Sequence, residues 1–137
     1  MSVSRDELLA ERCVPCEGGV PKLAADEVTA YLAELPAWSL SPDGVYIRRE
    51  WTLADFRGAI KLANNIGALA ERERHHPDLH LEGYRRLRVE LTTHAIGGLS
   101  INDFRLAAKI DSIAPAWEVA GGRSAAAPPA TPAEGGA

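Results

Sequence analysis

Between residues 53 and 92 the spacing of apolar residues changes once, from the helical interval to strict alternation, and Pro77 stands at the change. Phe56, Ala59, Ile60, Ala63, Ile66, Gly67 and Ala70 mark one stripe of a long helix expected over 53–74, with Thr52 as its N-cap and Asp55 three residues on. Its small residues, Ala59, Ala63, Gly67 and Ala70, predict a close approach to a sheet. After Pro77, Leu79 and Leu81 alternate and Gly83 bends the chain. Leu87, Val89 and Leu91 then share one face of a strand, with Arg88, Glu90 and Thr92 on the other. Proline cannot continue a helix and biases the residue before it toward extended backbone, so His75 and His76 are expected at a helix-to-strand corner.

The flanking segments complete a pattern. Val28, Tyr31, Leu32 and Leu35 recur at the helical interval over 25–35, with Asp26 and Glu27 at the positive end and Pro36 as a stop. Trp38, Ser39 and Leu40 lead into the turn signal Pro42, Asp43, Gly44 and a strand over 45–51, which reads as a hairpin. A glycine-bearing loop with His94, Gly97 and Gly98 hands over to a last helix ending near 113. Ser100 is its N-cap, Asp103 its third residue, and Leu99 and Phe104 form a staple. The order predicts an α+β fold, α-β-β-α-β-β-α, with a four-stranded antiparallel sheet and three helices packed on one face. The uncovered sheet face and edges predict self-association. Residues 1–22 read as an N-terminal extension with the Cys pair, packing at the domain edge, 23–118 as the domain, and 119–137 as a disordered tail rich in Ala, Pro and Gly.

A chain of 137 residues supports one domain with a core. The net charge of -4 argues against a nucleic-acid surface, and the one dense basic run, Arg85, Arg86 and Arg88, reads as a solvated strand face. No apolar run is long enough to span a bilayer and the first residues do not form a secretory signal, so a cytoplasmic address is expected. Cys13 and Cys16 have the spacing of half a zinc site or of a redox pair. With no second ligand pair at finger spacing and no βαβ context, a structural or incidental role is expected.

All four histidines, His75, His76, His80 and His94, lie in one third of the sequence. Adjacent residues point in different directions, so His75 and His76 do not suit joint chelation and no metal site is expected. Neighbouring imidazoles, with a third brought in at His94, suit general acid and base work, since each ring takes either form near neutral pH. Plain structural readings stand beside this one. His75 could be a cation at a helix C-terminus, Asp103 a first-turn acid, Glu71 an exposed helix carboxylate and His94 a satisfied loop histidine. His80, set between apolar neighbours, is expected to face solvent or a subunit contact.

The segment from Glu71 through His75, His76 and Pro77, followed by Tyr84, His94 and Asp103, resembles the signature of the pterin-4a-carbinolamine dehydratases, and Thr92, Thr93 and Gly98 to Ser100 fit as well. The resemblance covers roughly 25–113, and the lead-in looks like the longer N-terminus of some bacterial members. It implies a dehydratase that converts 4a-hydroxytetrahydropterin to quinonoid dihydropterin and water. Such an enzyme recycles the pterin of an aromatic amino acid hydroxylase, needs no metal or organic cofactor, and works as a homodimer or homotetramer. By similarity His75 and His94 transfer protons, His76 orients the pterin and assists, Asp103 supports the histidines, and Glu71, His76 and Thr93 bind substrate. Where the family often has an aromatic residue just after the triplet, this chain has Leu79. The competing expectation is a non-catalytic scaffold of the same fold, for example an assembly factor for RuBisCO in carboxysomes.

Overall fold

A computed structural model of the chain describes residues 4–14 and 20–114. The alanine-rich tail, Cys16, Gly18 and Gly19 lie outside the described residues. The elements run α1 (Arg5–Ala10), α2 (Ala25–Ala33), β1 (Ser39–Leu40), β2 (Ile47–Thr52), α3 (Phe56–Glu73), β3 (Asp78–Glu82), β4 (Arg86–Leu91) and α4 (Ile101–Ile113). The four strands form one antiparallel sheet in the order β1-β2-β4-β3. This is the expected α+β arrangement with one addition, the short helix α1.

Alternation decides which sheet face is covered. Ile47 and Trp51 of β2 stand beside Leu91 and Leu87 of β4, and these four, with Val89, are fully buried. Ala59, Leu62, Ile66 and Leu69 of α3 and Phe104, Leu106, Ala107 and Ile110 of α4 close over them. Tyr31 stacks on Phe104 at 5.1 Å and Trp38 meets Trp51 edge-on, offset geometries that suit the ring quadrupoles. On the other face β2, β4 and β3 present Arg48, Glu90 and Asp78 in one row and Glu50, Arg88 and His80 in the next.

The long helix starts later than its periodicity suggests. Asp55, not Thr52, is the cap: its side chain accepts the Gly58 N–H at 2.8 Å, while Thr52 is the last residue of β2. Of the small residues expected to touch the sheet, Ala59 and Ala70 are buried, but a Cβ on Gly67 would meet nothing within 4 Å. The stripe thus continues past the sheet onto a flank where Phe56 and Ile60 are exposed.

Helix α1 was not anticipated because it is shorter than any apolar period can reveal. Its local signal is a capping box: the Glu7 N–H donates to Ser4 Oγ and the Ser4 N–H to Glu7 Oε1, each at 3.1 Å. Leu8 then enters the core at 2% exposure, and Lys109 of α4 donates to the Leu9 carbonyl at 3.0 Å. The Leu8→Ala variant is expected to lose about 2 kcal/mol, the low end for a buried leucine. A thermal midpoint lowered by less than about 2 °C would show that α1 contributes nothing to the core.

Candidate functional site

The corner at Pro77 works through one left-handed residue. After Glu73 the backbone of Arg74 takes φ 57°, and its N–H still reaches the Ala70 carbonyl. This reversal turns two adjacent imidazoles to opposite sides. His75 points into the molecule at 5% exposure, whereas His76 is exposed and pairs with Glu71 through Nε2 and Oε2 at 2.7 Å. With both partners in water the His76–Glu71 pair is worth little stability, at most about 1 kcal/mol.

His75 Nε2 lies 2.6 Å from Asp103 Oδ1. The other oxygen, Oδ2, accepts from Thr93 Oγ1 at 2.8 Å and from the Ser100 N–H at 3.0 Å, and the Thr93 and Ser100 hydroxyls are 2.8 Å apart. Thr93, Ser100 and Asp103 are all buried. Asp103 therefore fills both roles considered for it: it completes the capping box of α4 and it holds an imidazole. A carboxylate oxygen that accepts in this contact takes its hydrogen from Nε2, so the geometry suits a His75 ring protonated at that nitrogen.

His94 begins a single 3₁₀ turn, His94–Ile96, that leaves the end of β4. The turn is closed at its base by the Thr93 N–H to the Gly98 carbonyl at 2.9 Å and ended by Gly97 at φ 67°, a left-handed conformation that glycine adopts without steric cost. His94 is exposed and lines a cavity of about 370 Å3 together with Val45, Tyr46, Asp78, Glu90, Thr92 and Gly97. That volume is within the range of small-molecule pockets. Because β3 and β4 are antiparallel with Asp78 opposite Glu90, the strand that follows His76 and Pro77 starts beside the strand that ends before His94. The three histidines thus gather at one end of the sheet, with His75 beneath the surface, His76 on it and His94 in the cavity wall. Of the two threonines before His94, Thr93 is turned inward and Thr92 lines the cavity.

Other residues of the motif lie elsewhere. Tyr84 occupies the turn between β3 and β4, at the far end of the hairpin, where it and Gly83 both have positive φ. Leu79 is 38% exposed on the edge strand. His80 Nε2 stands 3.4 Å from Glu90 Oε1, so it faces the charged side of the sheet. Among the described residues no group of three or more His, Cys, Asp or Glu side chains is placed around one point as a metal site would need.

Cys13 is a half-buried thiol held against the site from behind. Its N–H donates to Glu73 Oε1 at 2.9 Å and its Sγ approaches the Asn102 carbonyl at 3.6 Å. Asn102, one residue before Asp103, clasps the Val14 backbone on both sides, at 2.9 and 2.7 Å. Burial and the negative charge of Glu73 push the Cys13 thiol up to about 12. Burial works against ionisation of Glu73, but the Cys13 N–H, Lys109 and Arg12 outweigh it and hold the carboxyl below its usual range. A thiol raised so far presents almost no thiolate, the reactive form. In a Cys16→Ser background, alkylation of Cys13 at pH 8 is expected to run roughly 10³-fold slower than that of an ordinary cysteine and to climb with pH through 9 to 11. A plateau near pH 8.5 would contradict it.

Sequence reasoning passed over Asp78, Glu90, Tyr46 and Thr92 as cavity residues. For Glu90 and Thr92 a signal existed, since they share the outer face of an alternating strand. For Asp78 the signal was its register with Glu90, which no local pattern encodes.

Comparison with known proteins bears on the family and the fold. The family model described as pterin 4 alpha carbinolamine dehydratase matches residues 21–113. Two bacterial relatives carry the name "putative pterin-4-alpha-carbinolamine dehydratase". One, from Aromatoleum aromaticum, is 46% identical over 80% of this chain and 97% of its own length. The other, from Nitrosospira multiformis, is 41% identical over 82% of this chain and 97% of its own. Among solved structures, a Brucella melitensis protein described as a transcriptional coactivator/pterin dehydratase superposes with a TM-score of 0.65 at 28% identity. It covers 69% of this chain and 100% of the other.

Proposed function

The chain belongs to the pterin 4 alpha carbinolamine dehydratase family, and on that premise we propose that it removes water from 4a-hydroxytetrahydropterin by histidine acid and base catalysis. In this step the C4a–O bond breaks and a C4a=N5 double bond forms. The hydroxyl leaves as water with a proton from a general acid, and the N5 proton goes to a general base, so quinonoid dihydropterin results. His94, exposed in the cavity wall, and His75, oriented by Asp103, are the proton-transfer pair. His76, paired with Glu71 on the surface at the same end of the sheet, orients the pterin. Thr93 acts through Asp103, whose second oxygen it occupies. The reaction needs neither a metal nor an organic cofactor, and its natural setting is the cytoplasm, where it returns the pterin of an aromatic amino acid hydroxylase to use. We assign the active form to a homodimer or homotetramer, because the described residues leave the edge strand β3 and the outer sheet face uncovered.

The observation that carries this reading is the buried relay from His75 through Asp103 to Thr93, which ends one residue from the imidazole in the cavity. A fully buried carboxylate bonded to a ring nitrogen is a common way to fix the tautomer and orientation of a working histidine. The test is a stopped-flow assay coupled to a hydroxylase. The purified protein is expected to accelerate decay of enzymatically generated 4a-hydroxytetrahydropterin. Decay at the spontaneous rate would place the chain with non-catalytic scaffolds of this fold.

A further inference from the structure

Two carboxylates line the cavity, and they stand directly opposite each other in the β3–β4 register: Asp78 and Glu90. Like charges at such cross-strand positions are normally unfavourable. The protein answers only one of them. Glu90 Oε2 accepts from Arg88 Nε at 3.1 Å, and Oε1 lies 3.4 Å from His80 Nε2. The hydrogen bond to Glu90 is also the chief reason that the Arg88 guanidinium holds its proton more tightly than usual. Asp78 is exposed and, among the described residues, forms no ion pair or hydrogen bond through its carboxylate. One acid is thus neutralised as part of the wall, while the other faces the cavity with both oxygens uncommitted, on the strand that leads directly away from Pro77.

A pterin carries on its pyrimidine edge two parallel donors, N3–H and one hydrogen of the 2-amino group. This pair matches the two oxygens of a carboxylate much as a guanidinium does. We propose that Asp78 binds this edge and thereby sets which way the flat ring enters, so that the opposite side, C4a and N5, is turned toward His94. The inference rests on the dehydratase reading above and adds a residue that decides substrate specificity. It also accounts for two like charges held side by side in a sheet, where a neutral pair would be more stable.

The test uses the full chain and two unreactive probes, 7,8-dihydropterin and 7,8-dihydrolumazine, which has an oxygen in place of the 2-amino group. With the lumazine a carbonyl oxygen faces the carboxylate and a donor is lost, so fluorescence titration of the wild type is expected to favour the pterin by about 50-fold or more. In Asp78→Asn, whose amide can donate to that oxygen, the preference is expected to fall below about 5-fold. The measurement is a ratio within each protein, so a general loss of fold or affinity cancels. If the wild type dehydrates its substrate and Asp78→Asn keeps the full preference, Asp78 is only a solvated strand-end carboxylate and the inference fails alone. If the wild type neither dehydrates nor binds pterin, the proposed function fails and takes the inference with it.

Discussion

His94→Ala is expected to slow dehydration of 4a-hydroxytetrahydropterin by about 100-fold or more, the usual contribution of a positioned acid or base. The fold should not notice. His94 is exposed, makes no side-chain hydrogen bond among the described residues, and sits on a turn whose closure depends on the Thr93, Gly97 and Gly98 backbone. The variant is therefore expected to melt within about 2 °C of the wild type, as surface changes away from buried networks generally do. His75→Ala should differ in kind. It removes a ring that is 5% exposed and strips Asp103 of a partner, so loss of rate and loss of stability come together. The comparison that decides is rate against melting temperature. An unchanged rate in His94→Ala removes that imidazole from the mechanism, and a lowered melt with the same rate assigns it a structural part instead.

Asp103→Ala carries the larger structural penalty. One side chain at 0% exposure accepts from His75, from Thr93 and from the Ser100 N–H. Truncation takes an acceptor from the His75 ring and from the Ser100 N–H, leaves the Thr93 hydroxyl with Ser100 Oγ alone, and removes the Asp103 half of the α4 capping box. Buried groups stranded in this way cost about 1–3 kcal/mol each, and breaking a buried pair commonly costs about 3–5 kcal/mol in total, because relaxation and water entry recover some of the sum. For a domain of this size that corresponds to a thermal midpoint lowered by more than about 10 °C. The dehydratase rate should fall with it even below the melting range, since the His75 ring loses the group that sets its tautomer. Asp103→Asn, which keeps the volume and one acceptor oxygen, is expected to recover part of the stability and less of the rate. A midpoint lowered by under about 4 °C in Asp103→Ala would mean that the network is not what joins α4 to the corner.

The site was half legible in advance, for reasons that differ residue by residue. His75, His76 and His94 stood out because imidazoles are few in this chain and proline marks where two of them must lie. Asp103 could be placed at the third position of its helix, but a first-turn acid and a support for histidine make the same sequence, and only the packing of α4 against the end of α3 shows one carboxylate doing both. Thr93 was expected to line a pterin pocket; in the structure it is buried against Asp103, and its neighbour Thr92 lines the cavity. Alternation says that the two threonines face opposite ways, but which one faces the cavity depends on how the loop leaves the sheet. The strap over 12–14 gave no signal beyond its cysteine, because its anchors, Glu73 and Asn102, are more than 50 residues away along the chain.

From the amino-acid sequence alone came the order of the elements, the stop at Pro77, the alternating core face of β4 and the capping of α4 by Ser100 and Asp103. Each depends on contacts among residues only a few positions apart, where chain geometry permits few alternatives. The tertiary structure alone decided that His75 turns inward and His76 outward, that Asp78 faces Glu90, and that the two strand ends bring His94 to the same end as the pair. These follow from one left-handed residue at Arg74 and from the register of β3 on β4. Register is set by burying one whole face of the sheet at once, a cooperative property of the packed molecule that no short stretch of the chain contains.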